Sequence, residues 1–433
     1  MNYERKSTAM LLEFSCSNHK SIKDKITFSA IASNDDSNEN LLLNYGNFRV
    51  LKNAVIYGAN GSGKSNFISA VAYMKHLIVN SINNQPGSFI GQSPHKLLGL
   101  SNDSEYAIQF ITKDVRYAYG FTLNNAEVTE EYLYYFPNGR QVKIFERTKG
   151  EFVAGDKFKG KFESCKDVLK PNRLFLSCAA NFSSVKETEN VYSFFNDELV
   201  IYSSRFRDNW LDYSLMKMNS DPRMKDLALT FLRGLGIEIK DINIDIKQEQ
   251  LPPDVLPPFL SEEAKKEILK NAVNHIKASV VYDTFEVDLI TEESAGIKKL
   301  FEIICPLLDI IINGKVLICD ELETNLHEAI VYRLVDLFRQ LKSKNFPQMF
   351  FSTHDTSILN LNLFRRDQIW FTEMKKDERS TDLYSLSEIK NVRKDENVEK
   401  GYISGKYGAI PMLNESLATI IQRLQTEGEN NVG

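Results

Sequence analysis

Apolar and polar positions follow three rhythms along the chain. Alternation opens at Leu11-Leu12-Glu13-Phe14 and returns as Ile26-Thr27-Phe28-Ser29 after a polar turn at 18–22, which predicts a strand pair. The polar residues before Met10 are expected to stand outside the fold, and 34–40, rich in Asn, Asp, Ser and Glu, reads as a loop. A short apolar run, Ala54-Val55-Ile56-Tyr57, is followed by Gly58 to Ser65, and then by Phe67, Ile68, Ala70, Val71 and Met74 at helical spacing. From 106 to 147 the chain reads as short β runs (106–112, 117–123, 131–136, 142–147) separated by Asn124-Asn125 and Pro137-Asn138-Gly139, an antiparallel layer.

The stretch 155–283 changes character. Val191, Phe194, Phe195 and Leu199, then Met224, Leu227, Ala228, Phe231 and Leu232, recur at helical spacing, with a break at Gly234-Leu235-Gly236 and a strand-like run at 242–246. Residues 251–258, with four prolines, read as an extended linker, and Ser261 as the N-cap of a helix beyond it. No heptad run suggests a coiled-coil arm. The last third returns to alternating helix and strand. An apolar helix is expected over 297–312, a turn at Asn313-Gly314, a strand at 315–319 ending in Asp320-Glu321, a helix over 327–341, and a strand at 348–353 ending in His354-Asp355.

Length and charge narrow the class. A chain of 433 residues suits two lobes or one domain with a large insertion. Net charge is −5, so no global basic field draws the chain to nucleic acid. The five cysteines show no C-x-x-C spacing, which favours buried free thiols of a reducing cytoplasm over zinc or disulfides. The most apolar stretch, 300–319, is interrupted by Glu302, Asp309, Asn313 and Lys315, so no membrane span is expected.

The chemistry concentrates in three places. Gly58-Ala59-Asn60-Gly61-Ser62-Gly63-Lys64-Ser65, between a strand and a helix, has the spacing and context of a phosphate-binding loop. Glycines let backbone amides approach phosphate oxygens at a helix N-terminus. Lys64 would reach the β- and γ-phosphates, and Ser65 would give its hydroxyl to Mg²⁺. Asp320 and Glu321 at a buried strand's tip suit a Mg²⁺ ligand and a water-orienting base. His354, one strand further on, reads equally as a γ-phosphate contact or a surface loop histidine. Ser294-Ala295-Gly296 opens a helix and reads either as a second phosphate contact or, more simply, as a cap.

In this order the motifs resemble the ABC-type ATPases of the SMC/RecF/OLD group. More narrowly the chain is similar to the AbiLi/RloA-like ATPases of bacterial abortive-infection, anti-phage systems. That match rests on Leu11-Glu13-Phe14 with Asn18 and Lys20-Ser21-Ile22, and on Arg173 to Ser177. It rests also on Asp320-Glu321-Leu322-Glu323 with Leu326-His327, on Ser352 to Asp355, and on Gly405 to Pro411. The resemblance implies an α/β P-loop fold of the ABC-ATPase type with an N-terminal antiparallel β layer and a mostly helical insertion. Its expected parts are lobe I over 10–150, the insertion over 151–286, lobe II over 287–390 and a tail over 391–433. It implies a head-to-tail homodimer, or an assembly of such dimers, with ATP and Mg²⁺ between subunits, and a separate effector such as a nuclease. Asn60 would then lie near the γ-phosphate, Asn66 would join the loop residues in binding the nucleotide, and Lys20 and Ser21 would lie beside it. Ser294 and Gly296 would contact the nucleotide held by the partner copy. Ala295 and Ile297 depart from the more polar signature of many relatives, and the lobe-joining glutamine is open between Gln109 and Gln141. Two rival functions remain at this level: a RecF-type DNA-repair ATPase, and a scaffold that binds ATP structurally and hardly hydrolyses it.

Overall fold

A computed structural model describes residues 9–35, 37–203, 209–249, 273–341, 345–393 and 396–411. The linker expected at 251–258 and the helix expected from Ser261 lie outside these residues.

The centre is a six-stranded sheet in the order Leu199–Tyr202, Val316–Cys319, Gln348–Ser352, Asn53–Tyr57, Ile369–Lys375, Ser380–Ser385. The first five strands run parallel and only the last is antiparallel. Central strands of such a sheet are covered on both faces, which is why Ala54-Val55-Ile56-Tyr57 and Val316-Leu317-Ile318-Cys319 are apolar without alternation. Their side chains divide between two cores. Ala54, Ile56, Val316, Ile318 and Phe350 join Phe67, Ile68, Val71 and Met74 of the helix Lys64–Asn80. Val55, Tyr57, Leu317, Cys319, Met349 and Phe351 face the helix Ala295–Asn313 and the helix Glu328–Gln340 on the other side.

A seven-stranded antiparallel sheet packs into the first core. Its order is Glu151–Ala154, Val142–Thr148, Val128–Tyr135, Val115–Leu123, Ser104–Thr112, Met10–Ser17, Ile26–Ser29. One buried amide stitches the two sheets: Gln348 Oε1 accepts the Leu11 amide at 2.7 Å, and its Nε2 donates to the Leu51 carbonyl at 2.8 Å. Each such bond contributes about 1 kcal/mol net, and more is lost if one partner is left buried and unpaired.

The middle of the chain carries the helices Phe175–Phe182, Lys186–Ser193, Trp210–Ser220 and Pro222–Gly234. Asp221 caps the last of these by accepting the Arg223 and Met224 amides, each at 3.1 Å, with Pro222 in the first turn. A small antiparallel sheet, Asp241–Glu249, Val273–Val281 and Glu286–Asp288, follows. Leu199 departs from its expected place on a helix face. The helix ends in a wider turn at Phe194–Glu198, and Leu199-Val200-Ile201-Tyr202 pairs in parallel register with Val316-Leu317-Ile318-Cys319. A free edge beside the buried strand, filled by two β-branched residues, outweighs the helical spacing. All five cysteines are buried and free. Among the described residues no helix is long and apolar enough to cross a membrane.

Candidate nucleotide site

Three parallel strands end on one edge of the central sheet, and each delivers part of the site. Asn53–Tyr57 runs into the glycine-rich loop, Val316–Cys319 into Asp320-Glu321, and Gln348–Ser352 into Thr353-His354. The third strand lies between the other two, so the acid pair and the loop face each other across its tip. A cavity of about 250 Å³ is lined by Ala59, Asn60, Gly61, Ser62, Gly63, Lys64, Ser65, Asn66, Glu321 and His354.

The loop is held from behind by hydroxyls that the sequence reading missed. Ser62 Oγ and Thr372 Oγ1 lie 2.7 Å apart, and Thr381 Oγ1 donates to the Ser62 carbonyl at 3.0 Å. These threonines sit on the strands Ile369–Lys375 and Ser380–Ser385, and only the folded sheet brings them to the loop. Gly63 has φ +114°, and an added Cβ would lie 2.1 Å from Thr381 Oγ1, so glycine is required there. No described side chain caps the helix that starts at Lys64, which leaves its first amides for an anion.

Lys64 is buried and its ammonium donates to the Gly58 carbonyl at 2.7 Å. Burial pushes its pKa down to about 8, while Asp320, Glu321 and Glu323 pull the other way. Asp320 is only 4 % exposed. Its Oδ1 accepts the Ser352 hydroxyl at 2.7 Å, and the Ser352 oxygen in turn accepts the Glu321 amide at 2.9 Å. Glu321 adopts a left-handed backbone, φ +53°, which turns the chain sharply after the strand. His354 is solvent-exposed on the cavity rim, and its amide donates to Glu323 Oε1 at 2.6 Å. Partial desolvation at the rim, then the nearby Lys64, holds the His354 pKa below its ordinary value.

Ser21 and Lys20 sit beside this cavity rather than in it. Asn66 Nδ2 donates to Ser21 Oγ at 2.7 Å, and Ser21 Oγ and Thr381 Oγ1 are also 2.7 Å apart. Lys20, Ser21, Gly61 and Asn66 share the wall of an adjoining cleft of about 950 Å³ with Gln92, His95 and Arg379. Gln92 had no sequence signal. Gln109 pairs within the antiparallel layer and Gln141 is exposed; neither lines the loop cavity.

Ser294 and Gly296 do not reach the cavity of their own chain. Ser294 caps its helix by accepting the Ile297 amide at 3.3 Å. Gly296 packs on the Asn325 carbonyl, which a Cβ would approach to 3.0 Å. This helix start borders a neighbouring cavity of about 280 Å³ whose wall includes Lys299, Asp320, Glu321 and Asn325. Glu321 thus faces both cavities.

The residues present fit a triphosphate with Mg²⁺. Open amides at a helix N-terminus and the Lys64 ammonium suit the phosphates; the Ser65 hydroxyl in the loop cavity and the buried Asp320 carboxylate, which lines the neighbouring one, are oxygen donors of the hard type that Mg²⁺ takes.

A family model for an AAA domain, described as that of a proposed AbiEii toxin of type IV toxin–antitoxin systems, matches residues 54–159 and 289–360. No curated protein matches the chain. Among solved structures, the SMC head domain from Thermotoga maritima is similar at 13% identity and TM-score 0.40, over 87% of this chain and 98% of that one. An SMC head domain with an extended coiled coil, bound to the C-terminal domain of ScpA derived from Pyrococcus furiosus, is similar at 13% identity and TM-score 0.38. There the match covers 87% of this chain and 96% of that one.

Proposed function

We propose, from the match of residues 54–159 and 289–360 to a family model for an AAA domain, that the chain binds ATP with Mg²⁺ and hydrolyses it. Two copies would close head-to-tail around two nucleotides, and the cycle would gate a separate toxic effector in anti-phage defence. The observation that carries the ATPase reading is the joint lining of one cavity by the loop 59–66, Glu321 and His354.

In this reading the amides of Asn60, Gly61, Gly63, Lys64 and Ser65 at the helix N-terminus cradle the phosphates, while the Ser62 amide stays on the Ala59 carbonyl. Lys64 leaves the Gly58 carbonyl for the β- and γ-phosphates. Ser65 and Asp320 would hold Mg²⁺, which when bound offsets charge developing on the phosphates. Glu321, fixed through its amide by Ser352, orients the attacking water and takes up its proton. The His354 ring would meet the γ-phosphate through an N–H. Ser294 and Gly296, turned away from their own cavity, would serve the partner's nucleotide.

The test is ATP turnover of the wild type beside Glu321→Gln, with and without DNA, and the solution mass of both with and without ATP. Turnover at least ~100-fold lower in Glu321→Gln, with ATP trapping a dimer or larger assembly, supports the reading. Equal rates in the two proteins overturn the enzyme claim. Stimulation by DNA alone would move the function toward repair.

A further inference from the structure

The phosphate loop is tied to a distant part of the chain. The Ala59 amide donates to the Ala409 carbonyl at 2.8 Å. That amide belongs to the loop's first corner and is thereby withdrawn from phosphate binding. Ala409 adopts the left-handed backbone at φ +59°, a conformation that costs a non-glycine residue ~1 kcal/mol or more. Such a cost persists where surrounding contacts impose it. Tyr402 Oη donates to the same carbonyl at 3.2 Å, and Gly408 packs so closely that a Cβ would lie 2.8 Å from Tyr384 Oη.

The same segment reaches the loop that carries His354. Thr356 Oγ1 donates to Glu399 Oε1 at 3.2 Å. The Tyr402 ring lies 5.6 Å from that of Tyr57, whose hydroxyl donates to the Asp355 carbonyl at 2.9 Å. Residues 396–410 therefore hold both sides of the cavity: Ala59 directly on one, and on the other Thr356 directly and Asp355 by way of Tyr57.

We propose that residues 396–410 form a positioning strap that sets the spacing between the phosphate loop and His354. The proposal rests on the ATPase reading above. Nucleotide binding depends on amides from Asn60 onward and on Lys64, which the strap does not touch. Alignment of His354 against the γ-phosphate depends on both anchor points. Loosening the strap should therefore reduce turnover while leaving the affinity for ADP, which has no γ-phosphate, in place.

The test uses Glu399→Ala and Tyr402→Phe in the full chain, with Glu399→Gln as the conservative variant that keeps an acceptor for Thr356. Turnover is expected to fall roughly tenfold in the first two, since misplacement by ~1 Å can cost up to ~100-fold. ADP affinity should stay within about twofold, and Glu399→Gln should recover turnover. Hydrogen exchange with a non-hydrolysable ATP analogue supplies a readout independent of hydrolysis. Wild type should gain protection at both 60–65 and 353–357, and the two variants only at 60–65. Unchanged turnover, ADP affinity that falls in step with turnover, or undiminished protection of 353–357 in the variants overturns the strap alone. Absence of protection at 60–65 in the wild type overturns the nucleotide reading and the strap together.

Discussion

Ser352 donates its hydroxyl to Asp320 Oδ1 at 2.7 Å while accepting the Glu321 amide at 2.9 Å, so one buried oxygen sets the position of both acids. Hydrogen bonds to charged groups are worth ~1.5–3 kcal/mol, and losing this one frees the Asp320 carboxylate to rotate. Ser352→Ala is expected to raise the Mg²⁺ concentration needed for half-maximal turnover and to lower turnover by ~10-fold or more at saturating ATP. A Mg²⁺ titration of turnover checks it; a wild-type curve would show that Ser352 only fills space.

Lys64 predicts a pH dependence of nucleotide binding. Its pKa stands at about 8 in the protein alone. Phosphates beside it favour the ammonium, so the pKa in the complex is higher and binding is strongest where Lys64 already holds its proton. Affinity should be full below pH 8 and should weaken as pH rises above it, by up to about tenfold per unit for one coupled proton. Calorimetry in buffers of different ionisation enthalpy should record net proton uptake on binding at about pH 8.5, and Lys64→Gln should abolish that uptake.

Two glycines of the loop should respond differently to alanine. Gly61 has φ +77° but open space where a methyl group would be added, so Gly61→Ala should cost only the backbone strain, ~1 kcal/mol. At Gly63 the methyl would meet Thr381 at 2.1 Å, and the collision adds to the strain. Gly63→Ala is expected to lose ~3 kcal/mol or more and to abolish nucleotide binding. Denaturant midpoints and nucleotide titrations of both variants check the order.

Glu131 is a structural counterpart to these site residues. It is buried, accepts the Phe175 and Leu176 amides at 2.6 and 2.9 Å and the Tyr119 hydroxyl at 2.9 Å, and lies 3.8 Å from the buried Arg147. Burial raises its pKa, and Arg147 with the helix amides opposes the rise. Glu131→Ala leaves Arg147 on the Arg173 and Pro171 carbonyls but without its counter-charge, and frees the Phe175 and Leu176 amides, so a loss of ~3–5 kcal/mol is expected. Chemical denaturation would measure it, and nucleotide affinity of the folded protein should not change.

What the sequence disclosed was what is local. The loop 58–65, the strand before it and the helix after it are contiguous, and so are Val316–Cys319 and its two acids. His354 was ambiguous because its spacing carries no information about Lys64; the parallel pairing of Gln348–Ser352 with Asn53–Tyr57 places it on the same cavity. Thr372 and Thr381 were invisible because an isolated hydroxyl in a strand has no pattern, and their partner Ser62 lies more than 300 residues away. Leu199 was misread because helical periodicity and a short apolar strand overlap in so few residues. The tail expected from 391 has no pattern that says what it packs against, and the Ala59–Ala409 bond shows its described part, to residue 411, folded onto the phosphate loop.

The order of strands in the central sheet also bears on biosynthesis. Asn53–Tyr57, the strand that launches the phosphate loop, has as its sheet neighbours Gln348–Ser352 and Ile369–Lys375. As the ribosome makes the chain from its N-terminus, the seven strands of the antiparallel layer are complete by Ala154, but the loop's strand must wait for two neighbours from the far end. Nascent chains arrested before residue 348 therefore expose Ala54-Val55-Ile56-Tyr57 without its pairing partners, a segment for chaperones to cover, and the nucleotide site is assembled only late in translation.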